Sequence, residues 1–412
     1  MNDLKIRAFV MRSGERYSLL VDRLTGVPVY APNLYLTSQV RNASLSHAAL
    51  SAYASHLLVL HRFCLIRHID LTSRLMTRQF LVDAEIDSLR DFSSYRFNDW
   101  LLWMAQPPMF SLEELLESQP RVTKETQYVR LTVTADYLLW LGRQYFDHLQ
   151  IEPPGLKTMA KAIKARRPSF KGRNRGLVNR ALSESEADLL LSVIEVDGPS
   201  NPFDLSVRSR NRLMVLMEYE LGIRGGELLN IRIEDINFAQ NILLIIRRAD
   251  QADDPRLRQP LVKTLDRELV LSDWLVAEIH RYVLGDRRAV PNAKKTSYLF
   301  VTCKAGPTCG QALSISSYNK MWATLQQSSL LLRQVTGHRL RHSWNGRFSE
   351  TMDKQVPPVS EAKQEAMRSQ LMGWQPGSGT ASRYNRRFIV EKARQASLDL
   401  QRSARAEGED HE

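Results

Sequence analysis

Cysteine is scarce in this chain, with Cys64, Cys303 and Cys309 alone among 412 residues. So few thiols argue against a disulfide framework and point to a reducing compartment. Cys303 and Cys309 stand six positions apart, with no second cysteine or histidine pair to complete a zinc site. All three read as small buried or surface thiols. The opening decapeptide MNDLKIRAFV lacks the basic-then-apolar layout of a secretory signal. The longer apolar runs, such as 242–246 and 189–191, fall far short of the roughly 20 residues a membrane-spanning helix needs. A soluble, cytoplasmic chain with no membrane partner is expected. Also missing are the glycine-lysine phosphate loop, the H-E-x-x-H zinc motif and the dinucleotide glycine fingerprint.

What is present begins with length and charge. A chain of 412 residues calls for two or three domains. Lysine and arginine total 57 against 45 acidic residues, a net charge of +12, which favours a polyanionic partner such as nucleic acid. Residues 4–30 alternate apolar and polar positions around Ser13-Gly14 and Thr25-Gly26, which predicts a strand-rich N-terminal extension over 1–45. From Ser46 the spacing turns helical, with Leu50, Ala54, Leu57, His61 and Cys64 on one face. Further helical segments are expected over Asp83–Trp103, from a capping box at Ser111–Glu114, and over Lys124–Phe146. Residues 46–152 are thus expected to form a helical domain.

The stretch 153–181 has a different composition. It carries no acidic residue, and its cations include Lys157, Lys161, Lys164, Arg166, Arg167, Lys171, Arg173 and Arg175, interspersed with Pro168, Gly172 and Gly176. A charge run is usually a solvated face or a loose tether. Charges of one sign between two folded regions also suit a linker that contacts phosphates and holds two domains around a duplex, and this DNA-binding reading is preferred. A second domain, 182–400, opens with a capping box at Ser183 and Glu186, and a helix is expected over Asn211–Leu221, ending at Gly222. Short β-type runs at Ile242–Arg248, Leu261–Thr264 and Glu268–Leu271 predict a small sheet inside a mostly helical domain. Residues 401–412 read as an acidic tail.

Four segments of this second domain draw attention together. LGIRGGEL at 221–228 sets Arg224 after a glycine turn, with Glu227 three residues on. LVKT at 261–264 puts Lys263 in a hairpin. GHRLRHS at 337–343 puts His338 and Arg341 three apart on one helix face. LMGW at 371–374 ends in Trp374 and is followed ten residues later by Tyr384. Taken singly, each has an ordinary reading: Arg224 and Glu227 a helix ion pair, His338 a structural histidine, Lys263 a solvated lysine, Trp374 a core side chain.

In order, context and spacing the set resembles the signature of the tyrosine recombinase (phage integrase) family over residues 183–390. The resemblance implies a mainly α fold with a small antiparallel sheet in the catalytic domain, in a multi-domain recombinase architecture, with 46–152 as a core-binding domain. It implies a site-specific recombinase that needs no cofactor and no metal. Arg224 and Arg341 would hold the non-bridging phosphate oxygens, since guanidiniums pair bidentately and never lose their proton. Tyr384 would be the nucleophile, His338 would share its proton, and Lys263 on a mobile hairpin would protonate the departing 5′ oxygen. Trp374 would donate its indole N–H and pack. Partners would be duplex DNA with specific recombination sites and a homo-tetramer on DNA, with or without other recombinases, the protein being nucleoid-associated when bound. The amphipathic segment 386–404 would dock on a neighbouring protomer. Two departures are evident: the ten-residue interval from Trp374 to Tyr384 is about one residue longer than is usual in the family, and Ala249–Gln259 enlarges the hairpin before Lys263. The competing readings are a DNA-binding accessory protein of a mobile element without catalysis, and a type IB topoisomerase or telomere resolvase with the same chemistry.

Overall fold

The structure, a computed structural model, describes residues 2–43, 46–97, 120–146, 152–169, 181–357, 359–375, 377, 393–394 and 396–401. The chain divides into two units, Met1–Gly176 and Leu177–Glu412.

The first unit opens with a hairpin of β1 (Leu4–Val10) and β2 (Arg16–Asp22), antiparallel with Leu4 opposite Asp22 and Val10 opposite Arg16. The hairpin expected at the N-terminus does not stand apart. Leu4, Tyr17 and Leu20 enter the same core as the helices, and Ser18 Oγ bonds to His47 Nε2 at 3.0 Å and to Ser51 Oγ at 2.8 Å. A short helix α1 (Tyr30–Tyr35) follows, and then α2 (His47–Ile66), capped by Ser46. By length and composition α2 could cross a membrane, which counting apolar runs did not anticipate. Half of its residues are buried, Leu50, Ala54, Leu57 and Cys64 among them, while His61 reaches the Asn2 carbonyl at 2.7 Å. Helices α3 (Leu71–Met76) and α4 (Asp83–Phe92) come next. The helix expected to continue to Trp103 stops at Phe92, because the backbone turns to pair with 120–122 through Arg96 N to Pro120 O and Val122 N to Ser94 O, both 2.7 Å. The segment expected to start at Ser111 lies outside the described residues. Helix α5 (Lys124–Phe146) buries Leu131, Ala135 and Leu138 as its spacing requires.

The start of the basic stretch is not a tether. Pro154–Ala165 form helix α6, with Pro154 pre-setting the first turn and Leu156, Met159, Ala160 and Ile163 buried in the first unit's core. Apolar residues at spacings of three and four dictate this, and the cations between them take the outer face.

The second unit begins with α7 (Glu184–Val193), where the Ser183–Glu186 capping box is formed. Helix α8 (Leu205–Leu221) starts at an Asp204 cap, six residues before the expected Asn211, and ends at Gly222 with φ 62°. A single turn, α9 (Gly225–Leu228), precedes an antiparallel sheet of β3 (Ile236–Asn237), β4 (Ile242–Ile245) and β5 (Arg267–Val270), in that order. The β-run expected at Leu261–Thr264 is not a strand, since its neighbours bond elsewhere, as described below. The enlarging segment 249–259 folds inward. Arg256 pairs with Asp254 at 2.8 Å, donates to the Leu229 and Leu313 carbonyls and lies over the Tyr298 ring. Helices α10 (Asp273–Leu284), α11 (Asp286–Ala289), α12 (Ile315–Ser328), α13 (Gly337–Asp353) and α14 (Glu361–Met372) complete the described core. The fold is mainly α with small antiparallel sheets. Within 386–404, residues 393–394 and 396–401 are described, helical and exposed; the rest lies outside the described residues, as do 402–412.

Ile163 is fully buried, so Ile163→Ala is expected to cost about 2–5 kcal/mol of stability. A denaturant titration checks this; a cost near zero would restore the tether.

Candidate active site

The GHRLRHS segment shows why each of its positions carries that residue type. Thr336 caps α13 through Arg339 N. His338 is exposed beside a cavity, and its Nε2 lies 3.2 Å from His342 Nε2, with the rings edge to face. Arg339 grips Glu186 with two bonds of 2.7 and 2.8 Å and the Ala181 carbonyl at 2.9 Å, tying α7 to α13. Leu340 is fully buried in the core. Arg341 is 1% exposed; it donates to the carbonyls of Gly222 (2.7 Å) and Met372 (3.0 Å) and lies over the Trp374 ring at 5.4 Å. Ser343 Oγ accepts from Leu182 N at 2.7 Å. One helical turn thus fastens the ends of α8 and α14 to each other.

Arg224 is the N-cap of α9 and one-third exposed. Its partner Glu227 is buried and serves more than a local ion pair. Arg267 reaches Glu227 Oε2 at 2.7 Å, Thr264 Oγ1 donates to Oε1 at 2.8 Å, Arg224 N to Oε2 at 3.1 Å, and Arg341 stands 4.0 Å away. Burial pushes the Glu227 carboxyl up, but Arg267 and then Arg341 outweigh it and hold its pKa below the usual 4.5. Arg267 also donates to the Thr264 hydroxyl and the Leu371 carbonyl, and Leu265 N donates to Gly373 O. These bonds draw 264–265 away from β4, which is why the LVKT run is not a strand. Lys263 is exposed on a segment whose next residues are pinned to both the Arg224 turn and the Trp374 turn. Gly373 has φ 63°, and a Cβ there would lie 2.8 Å from Arg267 and from Leu265 O, so this junction requires glycine. Trp374 is 6% exposed and packs with Met372 and Trp344.

A cavity of about 450 Å³ is lined by Arg224, His338 and Arg341, together with Tyr318, Asn319, Trp322 and Gln326. Three sequence-predicted residues therefore meet at one place. Lys263 and Trp374 do not line it, and Tyr384 lies outside the described residues, as do Lys171, Arg173 and Arg175. Tyr318, the cavity's own tyrosine, is a poor nucleophile: burial, and after it Glu218, which accepts its hydroxyl at 2.7 Å, push its pKa well above the ordinary value. Of the basic residues on and after α6, Lys157 pairs with Glu152, Lys164 with Asp136, and Arg166 with Asp83 and Asp87. Arg167 covers the Tyr128 ring, while Lys161 is exposed. Among the described residues no group of three or more His, Cys, Asp or Glu is placed to hold a metal ion. From the sequence, Glu227 read only as a local ion-pair partner and Tyr318 carried no role; the three-residue spacing of Arg224 and Glu227 and the Lys263-Thr264-x-x-Arg267 run were the available signals for the first.

Removing one partner of a buried ion pair leaves uncompensated charge, so Glu227→Gln is expected to cost about 3–5 kcal/mol at neutral pH. The folded carboxyl titrates below 4.5, so its pairs add stability above that pH and lose it as pH falls through the lowered value. Denaturant midpoints of the two chains should therefore converge on acidification; a constant gap would contradict the network.

Residues 180–387, half of the chain, match the model of the phage integrase family. The tyrosine recombinase XerA of Pyrococcus furiosus is 29% identical over 166 residues, 40% of this chain and 46% of that protein. The corresponding XerA of Pyrococcus horikoshii is 26% identical over the same shares. The chain spans about half the length of these curated relatives. A solved structure, the XerH site-specific recombinase bound to difH substrate in a pre-cleavage complex, is similar at 17% identity and TM-score 0.48, over 88% of this chain and 83% of that one. On the strength of the family model, the chain belongs to the phage integrase family of tyrosine recombinases.

Proposed function

We propose that the chain is a site-specific DNA recombinase, an integrase, which cleaves and rejoins DNA strands through a 3′-phosphotyrosyl intermediate on Tyr384. The observation that carries this reading is the convergence of Arg224, His338 and Arg341 on one cavity. Nucleophilic attack on a phosphodiester builds negative charge on the non-bridging oxygens, which preorganised guanidiniums stabilise. The Tyr384 oxygen forms the new bond to phosphorus as its proton passes to His338, and the bond to the 5′ oxygen breaks. Lys263 gives that oxygen its proton. The tyrosyl ester keeps the energy of the broken bond, so a 5′ hydroxyl can reverse the step without a nucleotide cofactor. Trp374 acts from beneath Arg341, fixing the guanidinium by packing. His338, exposed at the cavity with its Nε2 3.2 Å from His342 Nε2, is the ring that takes and returns the proton.

Duplex DNA carrying specific recombination sites is the partner of this reading, with a homo-tetramer on DNA as the working assembly and the nucleoid as its place. Residues 182–400 are the catalytic domain and the first unit supplies DNA binding. The cations of the basic stretch, Lys157, Lys161, Lys164, Arg166, Arg167, Lys171, Arg173 and Arg175, would contact phosphates. For Lys157, Lys164 and Arg166 this means exchanging an existing carboxylate partner for a phosphate, which reduces the net gain. Among the described residues no acid pairs with Lys161, so it has no such exchange to make.

Tyr384→Phe is expected to keep specific DNA binding and abolish the covalent adduct on a nicked suicide substrate. An adduct from the Phe variant would move the nucleophile elsewhere. Lys161→Ala should lower the slope of log affinity against log salt by about 0.9, measured by titration at several salt concentrations. An unchanged slope would remove Lys161 from the interface.

A further inference from the structure

Near the end of α8 lies a second carboxyl group, Glu218, which is fully buried. Its Oε1 accepts the Tyr318 hydroxyl at 2.7 Å, and among the described residues its Oε2 has no hydrogen-bond partner and no arginine acts on it as Arg267 and Arg341 act on Glu227. The groups that act on its charge are Tyr318 from α12 and Glu227 from α9, and neither is a cation. Arg224, and His338 and Arg341 from α13, face the cavity that Tyr318 also lines. The other two helices packed on α8 direct their charges elsewhere: Glu278 of α10 to Arg212, and Arg287 of α11 to the carbonyls of Ala293, Thr296, Tyr298 and Leu299.

The position of this pair matters more than its burial. A Cβ on Gly225 would lie 2.5 Å from the Tyr318 hydroxyl oxygen. On Gly337 it would lie 2.5 Å from Glu218 Oε1 and closer still to the Tyr318 hydroxyl. Gly225 follows Arg224 and Gly337 precedes His338. The Glu218–Tyr318 pair therefore fills the space between the two backbone segments that carry these residues, and both segments give up a side chain to admit it.

We infer that Glu218, held as the neutral acid, and Tyr318 form a positioning pair that sets the spacing of Arg224 and His338, and that ionisation of Glu218 disturbs this spacing and slows strand cleavage. The inference rests on the cleavage reading given above. A buried carboxylate without a cation is costly, and an ionised Glu218 would add a second negative charge beside Glu227 where a phosphate must be received. Burial pushes the Glu218 carboxyl up, the Tyr318 hydrogen bond opposes this, and Glu227 adds to it, the outcome being a pKa of about 8.

The test uses the full chain, as wild type, Glu218→Gln and Tyr318→Phe, with adduct formation on a nicked suicide substrate measured across pH values on both sides of about 8. Wild type is expected to lose rate as pH rises through that value, approaching about tenfold per pH unit beyond it. Glu218→Gln, which keeps an acceptor for the tyrosine but cannot ionise, should show no alkaline loss. Tyr318→Phe should slow cleavage at all pH values and move the alkaline loss upward, because the hydrogen bond that lowers the Glu218 pKa is gone. A merely structural role would not move these profiles. A second arm needs no DNA. The folded pKa is raised above the ordinary 4.5, so the stability contributed by Glu218 is complete below 4.5 and lost as pH rises towards about 8. Wild type should accordingly lose melting temperature relative to Glu218→Gln across that window. Parallel melting curves, or an alkaline loss identical in wild type and Glu218→Gln, would overturn the inference. A wild type that forms no adduct at any pH would overturn the cleavage reading instead, and the melting curves would still decide the protonation of Glu218.

Discussion

The Glu227 carboxylate, 1% exposed, is the fixed point around which the second unit arranges its charges. A carboxylate in that position is tolerable only when its lone pairs and charge are fully answered. Arg267 answers with a bond of 2.7 Å, Thr264 with its hydroxyl, the Arg224 amide with another, and Arg341 with its field. The outcome is geometric as much as energetic. Arg224 caps α9, Thr264 and Arg267 follow directly on Lys263, and Arg341 belongs to α13. Carbonyls from Gly222, Leu371 and Met372 then extend the same network to the ends of α8 and α14. Four chain segments far apart in sequence are held in register by one acid.

Two of the buried carboxyl groups of this unit, Glu227 and Glu218, make a useful contrast. Glu227 is ionised because arginines surround it; Glu218 lies in an equally dry place with a tyrosine for company and is pushed the other way. Environments that drive like groups apart are how a protein keeps one acid charged and another neutral at the same pH. Here the charged acid organises the guanidiniums, and the neutral one occupies space without competing for them.

Much of this was legible from the chain before any coordinates. Apolar spacing located α5, and turn and capping chemistry located the start of α7 and the end of α8 at Gly222, because such signals are local. The GHRLRHS segment pointed to two candidate site residues, His338 and Arg341, because the demands on its positions are dense: a core leucine, a buried arginine, a cavity histidine. What failed were matters decided by distant partners. LVKT has strand composition, yet the Thr264 hydroxyl bonds to Glu227 and the next amide, Leu265 N, to Gly373 O, which hold the run off β4. The basic stretch reads as a tether by charge, yet its apolar residues at helical spacing place Pro154–Ala165 in the core of the first unit. Of the described cations in that stretch, Lys157, Lys164 and Arg166 pair with acids of the approach to α6, of α5 and of α4. Glu218 gave no signal at all, since a lone glutamate in a helix resembles any solvated one until Tyr318 is seen against it.

The inward fold of 249–259 alters how the chain between β4 and β5 should be regarded. Read as sequence, it is one long excursion from Ile245 to Arg267. Arg256, buried against the Leu229 and Leu313 carbonyls and stacked on Tyr298, divides it into two spans of similar length. The entropy of closing a loop grows with the logarithm of its length, so each halving spares about 0.6 kcal/mol per closure once the anchor is made. More consequential is reach. A lysine on a free excursion could sweep a wide volume, whereas Lys263 is tethered seven residues beyond one anchor and one residue before another. An insertion that lengthens the chain here shortens the leash.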